Sequence, residues 1–246
     1  MLWHLPGKAS FCREHSNSLL PHVYMGHSSM FMRPLRNVEL YLQENKKINI
    51  DLASRRLNGL IVPPGGLFSF WRLVGLPCRL KGYKEGFVLS GGNIRQGVGG
   101  GLCQLSNLLY WMTLHTPLQV VERWRHSYDV FPDVNRTLPF GSGATVSYNY
   151  VDLQILNPTS RIFQLNLWQD QERLHGEWRS DQEPEETYRV IERNHRLESR
   201  PWGHTRHNEL YRTVTSLTSG HSREEFITAN NAVMMYNPFL EDGKNA

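Results

Sequence analysis

A run of glycines that leads directly into a helical pattern is the feature that most constrains the fold of this sequence. Residues 91–101 contain six glycines, and the segment that follows has apolar residues at intervals of three and four, the period of an α-helix. The apolar positions are Leu102, Leu105, Leu108, Leu109 and Met112. Pro117 marks the end of the pattern. The sequence therefore predicts a helix that starts behind a glycine-rich loop and packs its leucine face on the core.

Cys103 is predicted to lie in the first turn of this helix. The glycines leave the first backbone N–H groups uncovered, and the positive end of the helix dipole stabilises an anion, so we expect a lowered pKa for this thiol. On a helical wheel the leucine face lies nearly opposite Cys103, which indicates a side chain directed at the glycine loop. The alternative is a buried cysteine that acts as a small apolar side chain.

The composition excludes several classes of protein. The net charge is +4 and the pI is about 9.0, but lysine and arginine are dispersed along the chain, so we predict no nucleic-acid partner. Three cysteines without a CxxC pair, and histidines without zinc-site spacing, predict no metal and no other cofactor. The sequence has no signal-peptide core and no apolar run of about 20 residues. We therefore expect no transmembrane segment and a cytoplasmic protein.

Helical patterns come first and antiparallel-looking strands follow, without βαβ alternation, which predicts the α+β class. In this prediction a central helix behind the Gly-rich loop packs on a mainly antiparallel sheet. Asn49 has the position of an N-cap for a helix over residues 50–58, and residues 67–71 alternate as a strand. Residues 161–169 and 172–179 are predicted to form a hairpin.

The predicted organisation has three parts. Residues 1–36 form an N-terminal arm, residues 37–180 form the α+β domain, and residues 181–246 form a partly helical C-terminal appendage.

Cysteine acyl transfer requires a thiolate, a base and donors for the oxyanion. We predict Cys103 as the nucleophile and His126, which follows the next strand, as the base and later the acid. Asp129, Asp133 and Asp152 are alternative partners for the imidazole, and the sequence does not choose among them. The predicted substrate-binding residues are the end of the glycine loop and nearby side-chain donors: Gln96, Gly99, Gly100, Gly101, Gln104 and Ser106.

The segment GGGLCQLSNLLYWMTLHTP, with FSFW upstream and ERWRHSYDVFP downstream, resembles the VanW family. LNGLIVPPGGLFSF and VDLQILNPT are also similar to family patterns, and the resemblance covers residues 45–179. It implies a link to glycopeptide (vancomycin) resistance and to peptidoglycan metabolism. Some members are cysteine L,D-transpeptidases, which implies Cys103 as nucleophile and His126 as its base. The chain departs from the family pattern GxDAT at Gly143, where the pattern has an acid.

Two functions follow as expectations. The first is a cysteine acyl-transferase of the L,D-transpeptidase type that acts on a peptidoglycan-type peptide through Cys103 and His126. The alternative is a non-catalytic accessory or binding protein whose Gly-rich loop cradles a cell-wall peptide or its precursor. Thiol reactivity distinguishes them, because only the first requires an activated Cys103.

Overall fold

The computed structural model describes residues 10–32, 39–90, 92–130 and 137–237. In these ranges the α-helices are Leu40–Leu57 (α1), Phe70–Val74 (α2) and Cys103–Thr113 (α3), and a 3₁₀-helix spans Arg79–Lys81. The strands, in chain order, are Ser10–Phe11 (β1), His22–Met30 (β2), Ile61–Val62 (β3), Gly66–Ser69 (β4), Glu85–Ser90 (β5), Asn93–Val98 (β6), Gln119–Glu122 (β7), Tyr128–Asp129 (β8), Gln154–Leu156 (β9), Phe163–Gln169 (β10), Arg173–Ser180 (β11), Glu186–Arg200 (β12), Gly203–Ser216 (β13) and Ser222–Met234 (β14).

The strands form three four-stranded sheets and one hairpin. The orders are β1-β4-β9-β7, β2-β11-β10-β3 and β12-β13-β14-β8, and β5 pairs with β6. All neighbouring strands are antiparallel except β1 with β4 and β8 with β14. The predicted α+β class is confirmed.

Helix α3 packs on β2 and β11, and its leucine face is fully buried as the sequence predicts. Helix α3 approaches strand β11 closely at Gly176, because a Cβ at this position would lie 2.8 Å from the Cε of Met112. Trp178 of the same strand is buried, and its indole N–H donates to the Oγ1 of Thr113 over 3.1 Å. The β10/β11 hairpin confirms the predicted one, and Asp170 closes its turn by accepting from the backbone N–H of Arg173 over 2.7 Å.

Helix α1 is continuous through Asn49, so the predicted N-cap at that position is wrong. The Asn49 amide is instead buried and bonded to other segments. Its Nδ2 donates to the carbonyls of Lys84 (3.0 Å) and Gly100 (2.9 Å), and its Oδ1 accepts from the backbone N–H of Lys84 (2.7 Å). Polar residues inside a helix commonly serve a tertiary contact of this kind.

The strand predicted for residues 67–71 ends early. Strand β4 stops at Ser69, whose hydroxyl accepts from the backbone N–H of Arg72 and caps α2. Ser69 is therefore an N-cap, a signal that the apolar alternation of the segment hid.

The predicted N-terminal arm contributes strands to two of the sheets. Strand β1 pairs with β4, and β2 pairs along its length with β11. In its described part this region is an integral component of the fold.

The expectation of a partly helical C-terminal appendage is wrong for residues up to 237. Strands β12, β13 and β14 form a long antiparallel meander, and β8 joins it at the edge of β14. Strand β12 is the opposite edge of this sheet, and much of it is exposed. Exposed edge strands carry charge on both faces, which removes the apolar alternation that identifies a strand.

Candidate functional site

The predicted glycine loop is a β-hairpin followed by a tight turn. Strands β5 and β6 pair from Glu85 with Val98 to Ser90 with Asn93, so most of the glycine-rich segment is strand. Gly91 lies outside the described residues. The turn that follows, residues 99–101, leads into α3 and is held by the bond from Asn49 to the Gly100 carbonyl.

The glycines of this turn are required by the packing of the chain itself. A Cβ at Gly100 would lie 2.5 Å from the carbonyl oxygen of Gly86, and a Cβ at Gly99 would lie 2.7 Å from the Cβ of Pro77. A Cβ at Gly101 would overlap the side chain of Lys46. Gly99 and Gly101 also have positive φ (78° and 94°), which favours glycine. Their predicted role in substrate binding stays a prediction.

Cys103 is the first residue of α3, but its thiol is held against the core. The thiol donates to the carbonyl of Val146 over 3.6 Å, and the side chain packs on the buried apolar cluster. Burial raises the pKa of the Cys103 thiol, and hydrogen bonds to the backbone of Val146 and Cys103 only oppose this effect. The expected lowering of the pKa by the helix terminus is therefore wrong, because desolvation outweighs it. The face expected to look away from the core is also largely buried, through Ser106 and Tyr110.

Helix α3 fixes the segment that covers the thiol. The Ser106 hydroxyl donates to the carbonyl of Ala144 over 2.6 Å. The backbone N–H of Ala144 donates to the Oδ1 of Asn107 over 2.8 Å. These two bonds position Val146 above Cys103. Ser106 is fully buried, and its predicted role in substrate binding stays a prediction.

Asn107 also occupies the space beside Gly143. A Cβ at Gly143 would lie 2.5 Å from the Oδ1 of Asn107, so the acid of the family pattern does not fit here without a shift of this amide. The Gly143 carbonyl accepts from the Nε of Arg123 over 2.9 Å, and the guanidinium of Arg123 lies 4.8 Å from the centre of the Tyr110 ring.

The two glutamines predicted to bind substrate, Gln96 and Gln104, differ in their contacts. The Gln104 amide donates to the hydroxyl of Ser29 (2.6 Å) and the carbonyl of Met30 (2.9 Å), which ties α3 to β2. Gln96 lies on β6, is exposed and pairs with Phe87 through the backbone ladder.

Asp152 is fully buried and saturated by donors other than histidine. Its carboxylate accepts from the Ser69 hydroxyl (2.6 Å), the Trp71 backbone N–H (3.0 Å) and the Leu153 backbone N–H (2.9 Å). Burial raises the pKa of Asp152, and these three bonds oppose the shift. The residue joins β4, α2 and the start of β9, which is a structural role.

Asp129 also forms its side-chain hydrogen bonds with residues other than His126. Its Oδ2 accepts from the guanidinium of Arg206 (3.1 Å) and from the hydroxyl of Tyr236 (3.0 Å), and both members of the ion pair are about 95% buried. Its partners therefore lie on β13 and beyond β14. Asp133, the third candidate partner of the imidazole, lies outside the described residues.

His126 lines a cavity of about 240 Å³ together with Leu89, Gly92, Arg125, Ser127 and Tyr128. Cys103 is not among the lining residues. Burial lowers the pKa of His126, and the neighbouring Arg125 lowers it further, so the imidazole is neutral at neutral pH. Across the described part of the chain, no hydrogen bond to the His126 imidazole is formed.

Arg125 supplies the positive charge of this cavity. Its guanidinium donates to the carbonyl of Asn231 and lies 5.0 Å from the centre of the Phe140 ring. Burial and the nearby Arg123 lower the pKa of Arg125 to about 10, so the group stays protonated at neutral pH. We refer to Arg125, His126 and Ser127, with the cavity they line, as the RHS cavity.

The segments that carry His126 and that cover Cys103 are joined by a backbone hydrogen bond. The N–H of Thr145 donates to the carbonyl of Trp124 over 2.8 Å, so the strand that leads to His126 lies beside the segment that covers the thiol. The structure forms no hydrogen bond between the two predicted catalytic side chains.

Comparison with known proteins identifies the family. The family described as VanW like protein matches residues 45–179, more than half of the chain. The chain belongs to the VanW family. Vancomycin B-type resistance protein VanW from Enterococcus faecalis is 39% identical over 152 residues, 62% of this chain and 55% of that protein. Uncharacterized protein YoaR from Bacillus subtilis is 36% identical over 114 residues, 46% of this chain and 36% of that protein. The chain thus spans about half or less of the length of these relatives, and no solved structure matches it.

No helix among the described residues is long and apolar enough to cross a membrane. The same residues contain no group of three or more histidine, cysteine or acidic side chains arranged to hold a metal ion.

Sequence reasoning missed Arg125 as a functional candidate. The signal was present in the motif that reads ERWRHS. In the fold Glu122 binds the backbone N–H of Asp152 and Arg123 binds the carbonyl of Gly143, so the basic residue left beside His126 is Arg125.

Proposed function

We propose that this VanW family member is a non-catalytic binding protein that acts in glycopeptide resistance by holding the terminal carboxylate of a cell-wall peptide in the RHS cavity. The observation that carries the proposal is the meeting of a guanidinium, an imidazole and a hydroxyl at one cavity that the Cys103 thiol does not line. The link to vancomycin is carried by the name of the Enterococcus faecalis relative.

The chemistry of the cavity suits a carboxylate. Arg125 keeps its charge at neutral pH, and guanidinium groups bind carboxylates through paired N–H donors. Ser127 offers a hydroxyl donor, and its side chain is bonded to no other described residue. An anion bound here would favour the protonated imidazole and so raise the lowered pKa of His126.

The state of Cys103 supports binding over catalysis. A neutral thiol under the carbonyl of Val146 is a poor nucleophile, because the thiolate is the reactive form. The acyl-transferase hypothesis requires the segment at Val146 to move and the thiol to reach His126. Its support is the isolated backbone bridge between Trp124 and Thr145, which places these two segments side by side.

The test compares the peptide Ac-Lys-D-Ala-D-Ala with its C-terminal amide, which lacks the negative charge. We expect saturable binding of the acid and at least tenfold weaker binding of the amide, since a charge-assisted hydrogen bond contributes about 1.5–3 kcal/mol. NMR titration of the His126 imidazole should show its pKa rising when the acid is bound. Equal affinity for acid and amide would contradict the proposal.

Variants separate binding from catalysis. His126→Asn and Ser127→Ala should weaken binding of the acid, whereas Cys103→Ser should leave it unchanged. The matched control is Arg189→Gln, because Arg189 is an exposed arginine on β12 outside the cavity. An acyl-enzyme detected by mass spectrometry on Cys103, absent in Cys103→Ser, would replace the binding proposal by the transferase.

A further inference from the structure

A second and larger cavity, of about 600 Å³, lies where the segment after β1 meets the end of α1 and helix α2. Four arginines from these three segments line it: Arg13, Arg55, Arg56 and Arg72. His15 and Asn58 are also part of its wall. We call this surface the arginine groove. The RHS cavity shares none of its residues, so the inference below does not rest on the proposed function.

The groove has a surplus of positive charge. Arg55 pairs with Asp51 over 2.6 Å, and the other three guanidinium groups have no carboxylate within 4.0 Å among the described residues. Arg72 instead lies 4.1 Å from the centre of the Phe11 ring. The carboxyl end of α1 contributes about half a negative charge. This partial charge offsets only a fraction of three uncompensated cations.

The backbone beneath the arginines is fixed. The two ring nitrogens of His15 lie 3.0 Å from the carbonyl of Arg13 and 3.1 Å from the carbonyl of Arg56, so the imidazole packs between the two segments and its N–H donates to one of these carbonyls. Gly59, just after α1, has φ 78°, and a Cβ there would lie 2.6 Å from the carbonyl of Ser16. The arginines therefore project from a rigid frame, which lowers the entropy lost when they bind a ligand.

We infer that the arginine groove binds the phosphate groups of a diphosphate-bearing ligand. Guanidinium forks match the spacing of phosphate oxygens, and several unpaired forks around one cavity match a ligand with several negative charges. The volume of the groove holds a diphosphate together with part of the group attached to it. A soluble diphosphate and the headgroup of a lipid diphosphate share this chemistry.

The experiment uses the whole chain and two probes, inorganic pyrophosphate and phosphatidylcholine vesicles with and without diacylglycerol diphosphate. Isothermal titration with pyrophosphate should show saturable binding that weakens as salt is raised. The double variant Arg13→Gln/Arg56→Gln should weaken this binding by at least about tenfold, because each charge-assisted bond lost contributes about that factor. Both side chains are exposed and make no ion pair in the described residues, so the variant should fold. Arg189→Gln is the control for charge alone and should bind as the wild type does.

Each outcome decides the inference. Pyrophosphate binding that depends on Arg13 and Arg56 supports it and assigns a soluble ligand. Binding only to vesicles with diacylglycerol diphosphate, lost in the double variant, supports it and assigns a lipid diphosphate. Binding of neither probe, binding unchanged in the double variant, or equal weakening in Arg189→Gln overturns it.

Discussion

Gly100→Ala should destabilise the protein, and this substitution tests whether the glycine turn serves packing or a ligand. The φ of Gly100 is not positive, so alanine meets no backbone strain there. Its Cβ would lie 2.5 Å from the carbonyl oxygen of Gly86, and backbone cannot move aside as a flexible side chain does. Overpacking of this kind costs about 3 kcal/mol, and the reduced entropy of the unfolded chain returns about 0.4–1 kcal/mol.

The expected net loss is about 2 kcal/mol in the free energy of unfolding. In a chain of this size that corresponds to a fall in Tm of about 4–8 °C, measurable by differential scanning calorimetry. The matched control is Gly26→Ala on β2, where the φ is also not positive and the nearest described atom would lie at 3.7 Å. This control should be neutral within about 0.5 kcal/mol. If Gly100→Ala melts like the wild type but no longer binds the cell-wall peptide, the packing explanation is wrong and the turn is a ligand cradle.

Three further predictions concern the buried polar groups. Asn49→Ala should lower the free energy of unfolding by about 3 kcal/mol, because the backbone groups that the Asn49 amide binds lose their partner. Urea denaturation measures this change, and a loss under about 0.5 kcal/mol would contradict the prediction. Burial raises the pKa of Cys103. Its thiolate fraction and its alkylation rate should therefore increase only when the pH rises above the pKa of an ordinary thiol. At about pH 8 Cys103 should therefore be alkylated more slowly in the folded protein than in urea. Faster reaction of Cys103 below neutral pH would restore the activated nucleophile. Asp129→Asn should lower the free energy of unfolding by about 3–5 kcal/mol, because it removes the carboxylate that pairs with the buried Arg206 guanidinium. Adding Arg206→Met should recover part of this loss. A single variant as stable as the wild type would contradict a structural role for Asp129.

The parts of the fold that sequence predicted are those set by local periodicity. Helix α3 has an apolar face that repeats every three to four residues, and the β10/β11 hairpin has a turn aspartate between two alternating segments. Strand β12 has neither signal, because it is a largely exposed edge strand, and its charged residues imitate a helix.

The candidate site was predictable only in its chain position. The sequence located Cys103 and His126 in the right elements, but the thiol is covered by Val146, a residue 43 positions later. Its pKa therefore depends on tertiary burial, which no local pattern reports. The arginine groove was hidden for the same reason. Its four arginines are dispersed in sequence and are gathered by the pairing of β1 with β4 and by the end of α1.

The pairing of β2 with β11 has a consequence for synthesis on the ribosome. Met30 lies opposite Arg173 and His22 opposite Ser180, so β2 leaves the ribosome about 140–160 residues before its partner. At 5–20 residues per second this interval is about 7–30 s, during which the backbone donors and acceptors of a nine-residue strand have no partner strand to bind. Strand β2 therefore joins its sheet only when the β10/β11 hairpin has been made.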